Sequence, residues 1–464
     1  VLLILIGLWL GLGLLLVACS ARPDLLLRAR WMLALAVAGV LAGSLYLAWQ
    51  GQVEPFTRWR SGLVFDGLAQ LLLPPLWAGA ALSILVALFT PNGRYEPAIA
   101  ALSAAVGTAG VVSDNALLTV ALLEAGALVI LAGLLVHDQG LAGHPLLNIA
   151  TSLKYLTLTI VSAACLVMAL LLASFYTVNP DRAELPRIIA AVLVVGFGLA
   201  AGAMPFYFHV PDLFDAAPAL DLTSLTGPLQ CMAFVYLIRT AGNGPWLLTD
   251  QHVASVLAAG ALGGSVLASV MAFGQPRLNR ALAFNAIREV GWIAFGLAAA
   301  SQAGWRGALI LLAARCVAQP VLVLAGRLAQ AQRETPELSK MGGLAAAMPF
   351  TAVAWCAASF SSIGLPPSVS SWGLASLLSA SREAGPLAMA ALLLSALLSL
   401  WRLGQVTYLA FWGPSAVVAE HRVEQPPAGW LLAAAGLGVG IGGVLPRLLQ
   451  APVDHLLAGF PFLR

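Results

Sequence analysis

The chain has 464 residues, 60% of them hydrophobic and only 9% charged, with a net charge of +3 and a mean hydropathy of +0.92. Soluble domains carry roughly 25% charged residues, so this composition excludes one, and so small a net charge gives no reason to expect a nucleic-acid partner. Apolar runs of about 20 residues, each able to cross a ~30 Å hydrocarbon core as a helix, recur along the whole length, unlike the short alternating segments of a membrane β-barrel.

The first run, near 1–18, lacks a basic leader and a small-residue cleavage site, so it reads as a retained helix rather than a signal peptide; Val1 suggests that the true start is missing or unusual. Further runs fall near 31–50, 65–91, 96–112, 115–136, 146–174, 186–204, 221–241, 251–273, 281–301, 304–329, 342–381 with an internal break, 385–411 and 428–450. The predicted fold class is an all-α polytopic membrane protein of about fourteen transmembrane helices. The Lys/Arg bias between the two sets of loops is slight and favours both termini outside. Cys19, Cys165, Cys231, Cys316 and Cys356 are scattered singly with no CxxC pair, which argues against an iron–sulfur or zinc site.

Charges inside these runs need an explanation. Glu124, in "DNALLTVALLEAGALVILAGLLVHD", lies near the centre of the fifth helix, where an unpaired carboxylate costs about 2.5–3.5 kcal/mol. Lys154, one of only two lysines, lies in "NIATSLKYLTLTIVSAACLVMALLL", roughly 12 Å into the sixth helix at ~1.5 Å per residue. The two helices run antiparallel, so a Glu124–Lys154 pair on an ion pathway is expected; a structural salt bridge or a protonated Glu124 are the alternatives. "VGFGLAAGAMPFYFHVPDLFDAAP" breaks a helix at Pro205 and sets His209, Asp212 and Asp215 behind the break, with Asp221 soon after. A free histidine titrates near neutral pH, so His209 is a candidate for proton transfer or for capping, and the acids suit either role as well. "NRALAFNAIREVGWIAFGLAAA" carries Arg288 and Glu289 within the tenth helix, and "LILLAARCVAQPVLVLAGRL" places Arg315 and Gln319 one turn apart in the eleventh. A second pair, Glu289 with Arg315, follows, although Arg288 and Glu289 could instead snorkel to the interface. An arginine does not usefully lose its proton, so such a pair would hold a field or a water chain. No metal-ligand spacing and no nucleophile–base arrangement stands out.

The sequence also repeats itself. Pro366, in "SIGLPPSVSSW", follows Pro205 by 161 residues, Arg315 follows Lys154 by 161, and the same offset carries Glu124 to Asn285, one turn before Glu289. Two five-helix units explain this, the second inverted because five is odd, and one broken helix in each is a transporter signature. The expected organisation is an N-terminal three-helix segment (1–95), a first five-helix repeat (96–245), a second (246–411), and a C-terminal helix and tail (412–464).

"SDNALLTVALLEAGALVIL", "LKYLTLTIVSA", "VGFGLAAGAMPFYFHVPDLFDAAPALDLTSLTG", "NRALAFNAIREVGWIAFGL" and "GLPPSVSSWGLASLL" together resemble the fifth, sixth, broken seventh, tenth and twelfth helices of the antiporter-like subunits of respiratory complex I. These subunits are kin to the large subunits of multisubunit cation/proton antiporters and energy-converting hydrogenases, and the shorter quinone-proximal subunit is the most similar of the set. The resemblance runs from about Asp66 to the last helices and implies a buried glutamate at Glu124 and a lysine at Lys154; together with the polar residues read above, the expected proton pathway takes in Glu124, Lys154, His209, Gln230, Glu289, Arg315 and Gln319, with helix breaks at Pro205, Pro366 and Pro367. It also marks departures: Ala200 stands where the family carries a lysine in the seventh helix, Gln230 where it has one in the eighth, Gln319 at an ionisable position of the eleventh, Leu374 at the lysine or glutamate of the twelfth, and Tyr207 at a histidine.

The function implied is a membrane subunit taking part in proton translocation coupled to redox chemistry elsewhere. The alternatives are a degenerate, non-pumping structural subunit, or a subunit of a cation/proton antiporter or inorganic-carbon uptake complex. The chain holds no flavin, iron–sulfur or nucleotide motif, so flavin, iron–sulfur clusters and quinone are expected only in partner subunits. Partners are expected to be other membrane subunits, the lipid bilayer, protons and internal water, in the inner membrane with both termini periplasmic.

Overall fold

A computed structural model describes the chain apart from residues 1, 51–61, 91–94, 139–144, 180–183, 245, 247–250, 415–423, 425, 446, 461–462 and 464. The apolar runs form α1 (Leu2–Ser20), α2 (Pro23–Gln50), α3 (Gly67–Phe89), α4 (Glu96–Val112), α5 (Ala116–Asp138), α6 (Pro145–Val178) and α7 (Leu185–Ala201). After a break come α8 (Val210–Ala216) and α9 (Ala219–Ser224), which passes through a wide π turn at Leu225–Leu229 into α10 (Gln230–Asn243). The rest is α11 (Gln251–Phe273), α12 (Leu278–Ala298), α13 (Gln302–Arg333), α14 (Pro349–Ile363), α15 (Ser370–Ala384), α16 (Pro386–Thr407), α17 (Pro426–Ile441) and a C-terminal α18 (Arg447–Leu457). Among the described residues the only β pairing is two isolated bridges, Leu63 with Ser113 and Arg277 with Glu337.

Among the described residues, ten helices are long and apolar enough to cross a membrane. α4, α7 and α14 are apolar but shorter. α7 and α14 are short because each stops inside the bundle and resumes as a second piece. Their stops are built alike. Gly202 and Gly364 adopt left-handed backbone, with φ of 69° and 79°, and the next residue reaches back five positions: Ala203 N–H to the Gly198 carbonyl at 2.8 Å, Leu365 N–H to that of Phe360 at 2.9 Å. A left-handed glycine followed by such a six-to-one bond ends a helix without strain. The Met204–Pro205 and Pro366–Pro367 peptide bonds are both cis. Gly364 follows Gly202 by 162 residues, so the structural counterpart of Pro205 is Pro367 rather than Pro366.

α12 and α13 form the centre of the bundle. In each, 94% of the most apolar window is buried inside the chain, against 22% for α6 and 28% for α1 and α11, which sit at the periphery. α13 touches α3, α9, α12, α14, α15, α17 and α18. In hydrocarbon, close backbone approach replaces the hydrophobic effect as the reason for helices to associate, and glycines provide it. Pro320 has no N–H for the Cys316 carbonyl, and Gly79 of α3 packs onto that freed oxygen so closely that a Cβ would lie 2.1 Å from it. Gly107 and Gly110 bring α4 against Pro228 and Met232 in the same way.

At one end of the bundle, Arg239 of α10 is completely buried between two carboxylates, Asp66 at 2.8 Å and Asp114 at 3.8 Å, and also donates to the Val111 carbonyl at 3.0 Å. Asp66 is itself the N-cap of α3, accepting from Ala69 N–H at 2.9 Å. One cation thus joins the start of α3, the α4–α5 turn and α10. Arg239→Leu would strand buried carboxylates, an effect on the order of 3–5 kcal/mol. The expected result is a large drop in the thermal midpoint of the assembled protein, or failure to accumulate; an unchanged midpoint would contradict this anchoring role.

Candidate functional site

Ending a helix inside a bundle leaves carbonyls without intrahelical partners, and in this protein side chains from neighbouring helices take them up. Gln230, in the first turn of α10, donates to the Ala201 carbonyl at the end of α7 at 2.7 Å. Arg288 of α12 donates to the Ser362 carbonyl at the end of α14 at 2.8 Å. Lys154 of α6 donates to the Phe208 carbonyl in the first break at 2.8 Å.

Between the two breaks lies a buried ionic cluster. The Arg315 guanidinium on α13 donates to the Ala286 carbonyl at 3.0 Å, the Glu289 carboxylate at 3.1 Å, the Thr226 carbonyl at 3.4 Å, and the side-chain oxygen of Gln230. Glu289 also accepts from Gln319 at 2.8 Å and from the Ser362 hydroxyl. Asn285 donates to that hydroxyl at 2.8 Å, and Arg288 donates to Asn285 at 2.9 Å. Arg288 stands 3.5 Å from Glu289 and 4.1 Å from the centroid of the Trp292 ring. The series continues through Trp292 Nε1, which donates to Ser395 at 3.1 Å, and through Ser269, Ser395 and Ser399, whose hydroxyls lie 3.1–3.4 Å apart. A small cavity lined by Ser269, Asn285, Arg288, Ser399 and Arg402 closes this end.

The sequence-predicted Glu289–Arg315 pair is thus present, with Gln230 and Gln319 attached to it. The snorkelling alternative fails, because Arg288 and Glu289 are 1% and 7% exposed. The other expected pair does not form. Lys154 makes its ion pair with Asp212 of α8 at 2.6 Å, and Arg280 and Arg277 extend this network through Asp212 and Asp215. Glu124, half-buried on α5, has no ion pair among the described residues. Side-chain direction explains the difference. Lys154 is exposed on the flank of the bundle where α8 docks, while its neighbour Tyr155 points inward and is 1% exposed. Nor do the acids after the break act as caps, since α8 and α9 carry no side-chain cap bond.

His209 is buried, with its ring 5.9 Å from that of Tyr155. Its Nε2 and the Gln230 amide nitrogen flank Gly202, each 3.8 Å from where a Cβ would stand. Ala200 and Leu374 are half-buried apolar side chains, Leu374 packing against Gly364, and the Tyr207 hydroxyl meets Met271 sulfur at 3.6 Å. Sequence reasoning gave no part to Ser269, Ser362, Ser395, Ser399 or Arg402. The signal that could have found them is polar spacing at one helical turn inside an apolar run, as in "SALLSLWR".

A profile describing the membrane part of NADH:quinone oxidoreductase and Mrp antiporters matches residues 126–399. The chain is 27% identical over 398 residues to the NADH-quinone oxidoreductase subunit N of Sphingopyxis alaskensis, spanning 80% of this chain and 81% of that protein. It is 28% identical over 281 residues to the subunit N of Thiobacillus denitrificans, where only 56% of that protein is spanned. Its fold superimposes over its full length on a chain of respiratory complex I from Thermus thermophilus (TM-score 0.80, 18% identity, all of that chain covered) and on one of the Mrp complex of Dietzia sp. (TM-score 0.79, 18% identity, 99% covered). The profile match spans more than half of the sequence and takes in both broken helices and the ionic cluster between them: the chain belongs to the NADH:quinone oxidoreductase/Mrp antiporter membrane family, as an antiporter-like subunit.

Proposed function

We propose that this chain carries protons within a complex I-like membrane assembly, along the buried polar series from His209 through Gln230, Arg315, Glu289 and Ser362 to Ser399. The observation that carries this reading is the hydrogen-bonded continuity of that series from Gln230 through Arg315 and Glu289 to Ser362, between the two breaks. Within it Glu289 is the group suited to take and release a proton, because both arginines stay charged. Arg288 and Arg315 supply the opposite charge that an intramembrane carboxylate requires. When Glu289 takes a proton, Arg315 loses its ionic partner but remains held by Gln230 and two carbonyls. The site can thus change charge without losing its geometry.

The driving reaction then belongs to other subunits, where flavin, iron–sulfur clusters or quinone would reside, and neighbouring membrane subunits adjoin the flank that bears Lys154 and Asp212. The two halves, 96–245 and 246–411, act as inverted units behind the 1–95 segment and ahead of the 412–464 segment, with both termini periplasmic. Lys154 serves the flank through Asp212, and Glu124 serves the interior separately.

Two experiments test this reading in the complex with its native partners, reconstituted in liposomes. Glu289→Gln keeps the size and one acceptor oxygen but removes the titratable group. Proton flux is expected to fall at least about tenfold, the effect of ~1.4 kcal/mol on one transfer step, while assembly persists. Unchanged flux in a fully assembled complex would favour the non-pumping structural subunit. A thermal double-mutant cycle between Lys154→Ala and Asp212→Asn should show coupling of about 0.5–3 kcal/mol, and one between Lys154→Ala and Glu124→Gln no more than ~0.5 kcal/mol. The reverse order would restore the Glu124–Lys154 pair.

A further inference from the structure

A second set of buried acids lies outside this central series, and its sharpest member is Asp221. In the first turn of α9, Asp221 is fully buried and neither carboxylate oxygen has a hydrogen-bonding partner. Gly133 of α5 lies directly against it, so that a Cβ there would stand 2.3 Å from either oxygen. Glycine is required because any side chain would displace the carboxyl. Glu96, the first residue of α4 and 5% exposed, is in Coulombic range of Asp221. Towards the centre, the Tyr155 hydroxyl, also buried and without a partner, is in range of both Asp221 and Glu124. Beside the Tyr155 ring is His209, whose Nδ1 is likewise unpartnered.

The other elements packed on α9 bring one cation to this region, Arg327 of α13. It donates to the Phe214 and Ala217 carbonyls at 2.8 and 2.6 Å and is in range of Glu96 and Asp215. α3 contributes no charged side chain. An apolar residue at 221 would meet the packing requirement without burying a polar group that lacks a partner, a cost proteins normally avoid. The orphaned carboxyl and the orphaned phenol, from different helices, lie between the membrane face where α4 begins and the mid-membrane groups Glu124 and His209.

We infer that Glu96, Asp221 and Tyr155 form a proton intake line from that face, with Asp221 as its binding group. Asp221 carboxylate takes a proton from water admitted past Glu96. Its O–H then breaks as an intervening water accepts that proton and passes one of its own to the Tyr155 oxygen, and the Tyr155 hydroxyl hydrogen goes by a second water to the Glu124 carboxylate, leaving intact waters, a neutral phenol and a recharged Asp221. This inference rests on the proposed function, since it supplies the protons that the central series carries.

The test uses the complex with its native partners, carrying Asp221→Asn or Tyr155→Phe, both close in size to the residues replaced. Proton flux is measured beside Glu289→Gln, and infrared difference spectra are recorded as pH is stepped, in water and in D2O. Each of the two variants is expected to lower flux at least about tenfold without loss of assembly. The wild type is expected to show a protonated-carboxyl band that shifts in D2O and is missing from Asp221→Asn. If Glu289→Gln abolishes flux while Asp221→Asn and Tyr155→Phe leave it intact, the intake line is overturned and the central series stands. If Glu289→Gln has no effect, the central reading has failed, and the infrared band alone decides whether Asp221 exchanges protons. A band that responds to sodium at fixed pH instead of to pH would overturn proton binding at Asp221 in favour of a cation.

Discussion

The interior depends on one guanidinium. Arg315 reaches from the central α13 to the Thr226 carbonyl and Gln230 on one side and to the Ala286 carbonyl and Glu289 on the other. A cation at this depth needs several acceptors close around it, because desolvating it costs several kcal/mol before any partner compensates. Arginine suits such a place because its planar fork serves several acceptors at once, which a lysine ammonium on a flexible stem does not. The acceptors exist because the backbone around them is irregular or amide-bearing: a π turn holding Thr226, a helix start at Gln230, and the carboxylate of Glu289 one turn from Asn285.

The breaks in α7 and α14 are the second half of the same physics. Each releases carbonyls at a depth where lipid offers nothing to bond to, and each therefore has to be enclosed by polar side chains. Gln230 and Arg288 answer that need in the interior and in doing so become walls of the polar series, while Lys154 answers it on the flank. The charges and the breaks are thus mutually required. Removing the arginines would leave carbonyls unmet, and straightening the helices would leave the arginines without acceptors.

Much of this is legible in the sequence, and the parts that are not have physical reasons. Twenty-residue apolar runs report membrane helices directly, so most predicted runs fall within a few residues of an observed helix, although α2 begins at Pro23 rather than near 31 and the last run stops at Ile441 before α18; Glu289 with Arg315 is readable because two opposite charges inside hydrocarbon have few other ways to survive. Depth alone pairs Lys154 with Glu124. Depth does not specify azimuth, and Lys154 and Tyr155, about 100° apart on one helix, face different surroundings. The helix stops at Gly202 and Gly364 precede the conspicuous prolines, because the left-handed glycine, not the proline, ends the helix. Asp66, Arg239 and Asp114 lie far apart in sequence at helix ends, where charge is ordinary, so nothing local distinguishes them.

Ala200 stands where the resemblance implies a lysine and Leu374 where it implies a lysine or glutamate, so on the proposed route a proton passes those places on water and on the hydroxyls and amides nearby. A density map of the subunit in its native complex, sharp enough to place water, is the most direct measurement of that claim. Ordered water is expected to join His209 to Gln230 and Ser362 to Ser399, with Arg315 bridging Gln230 and Glu289. Apolar side chains packed across either interval, or an Arg315 turned away from Gln230, would contradict it.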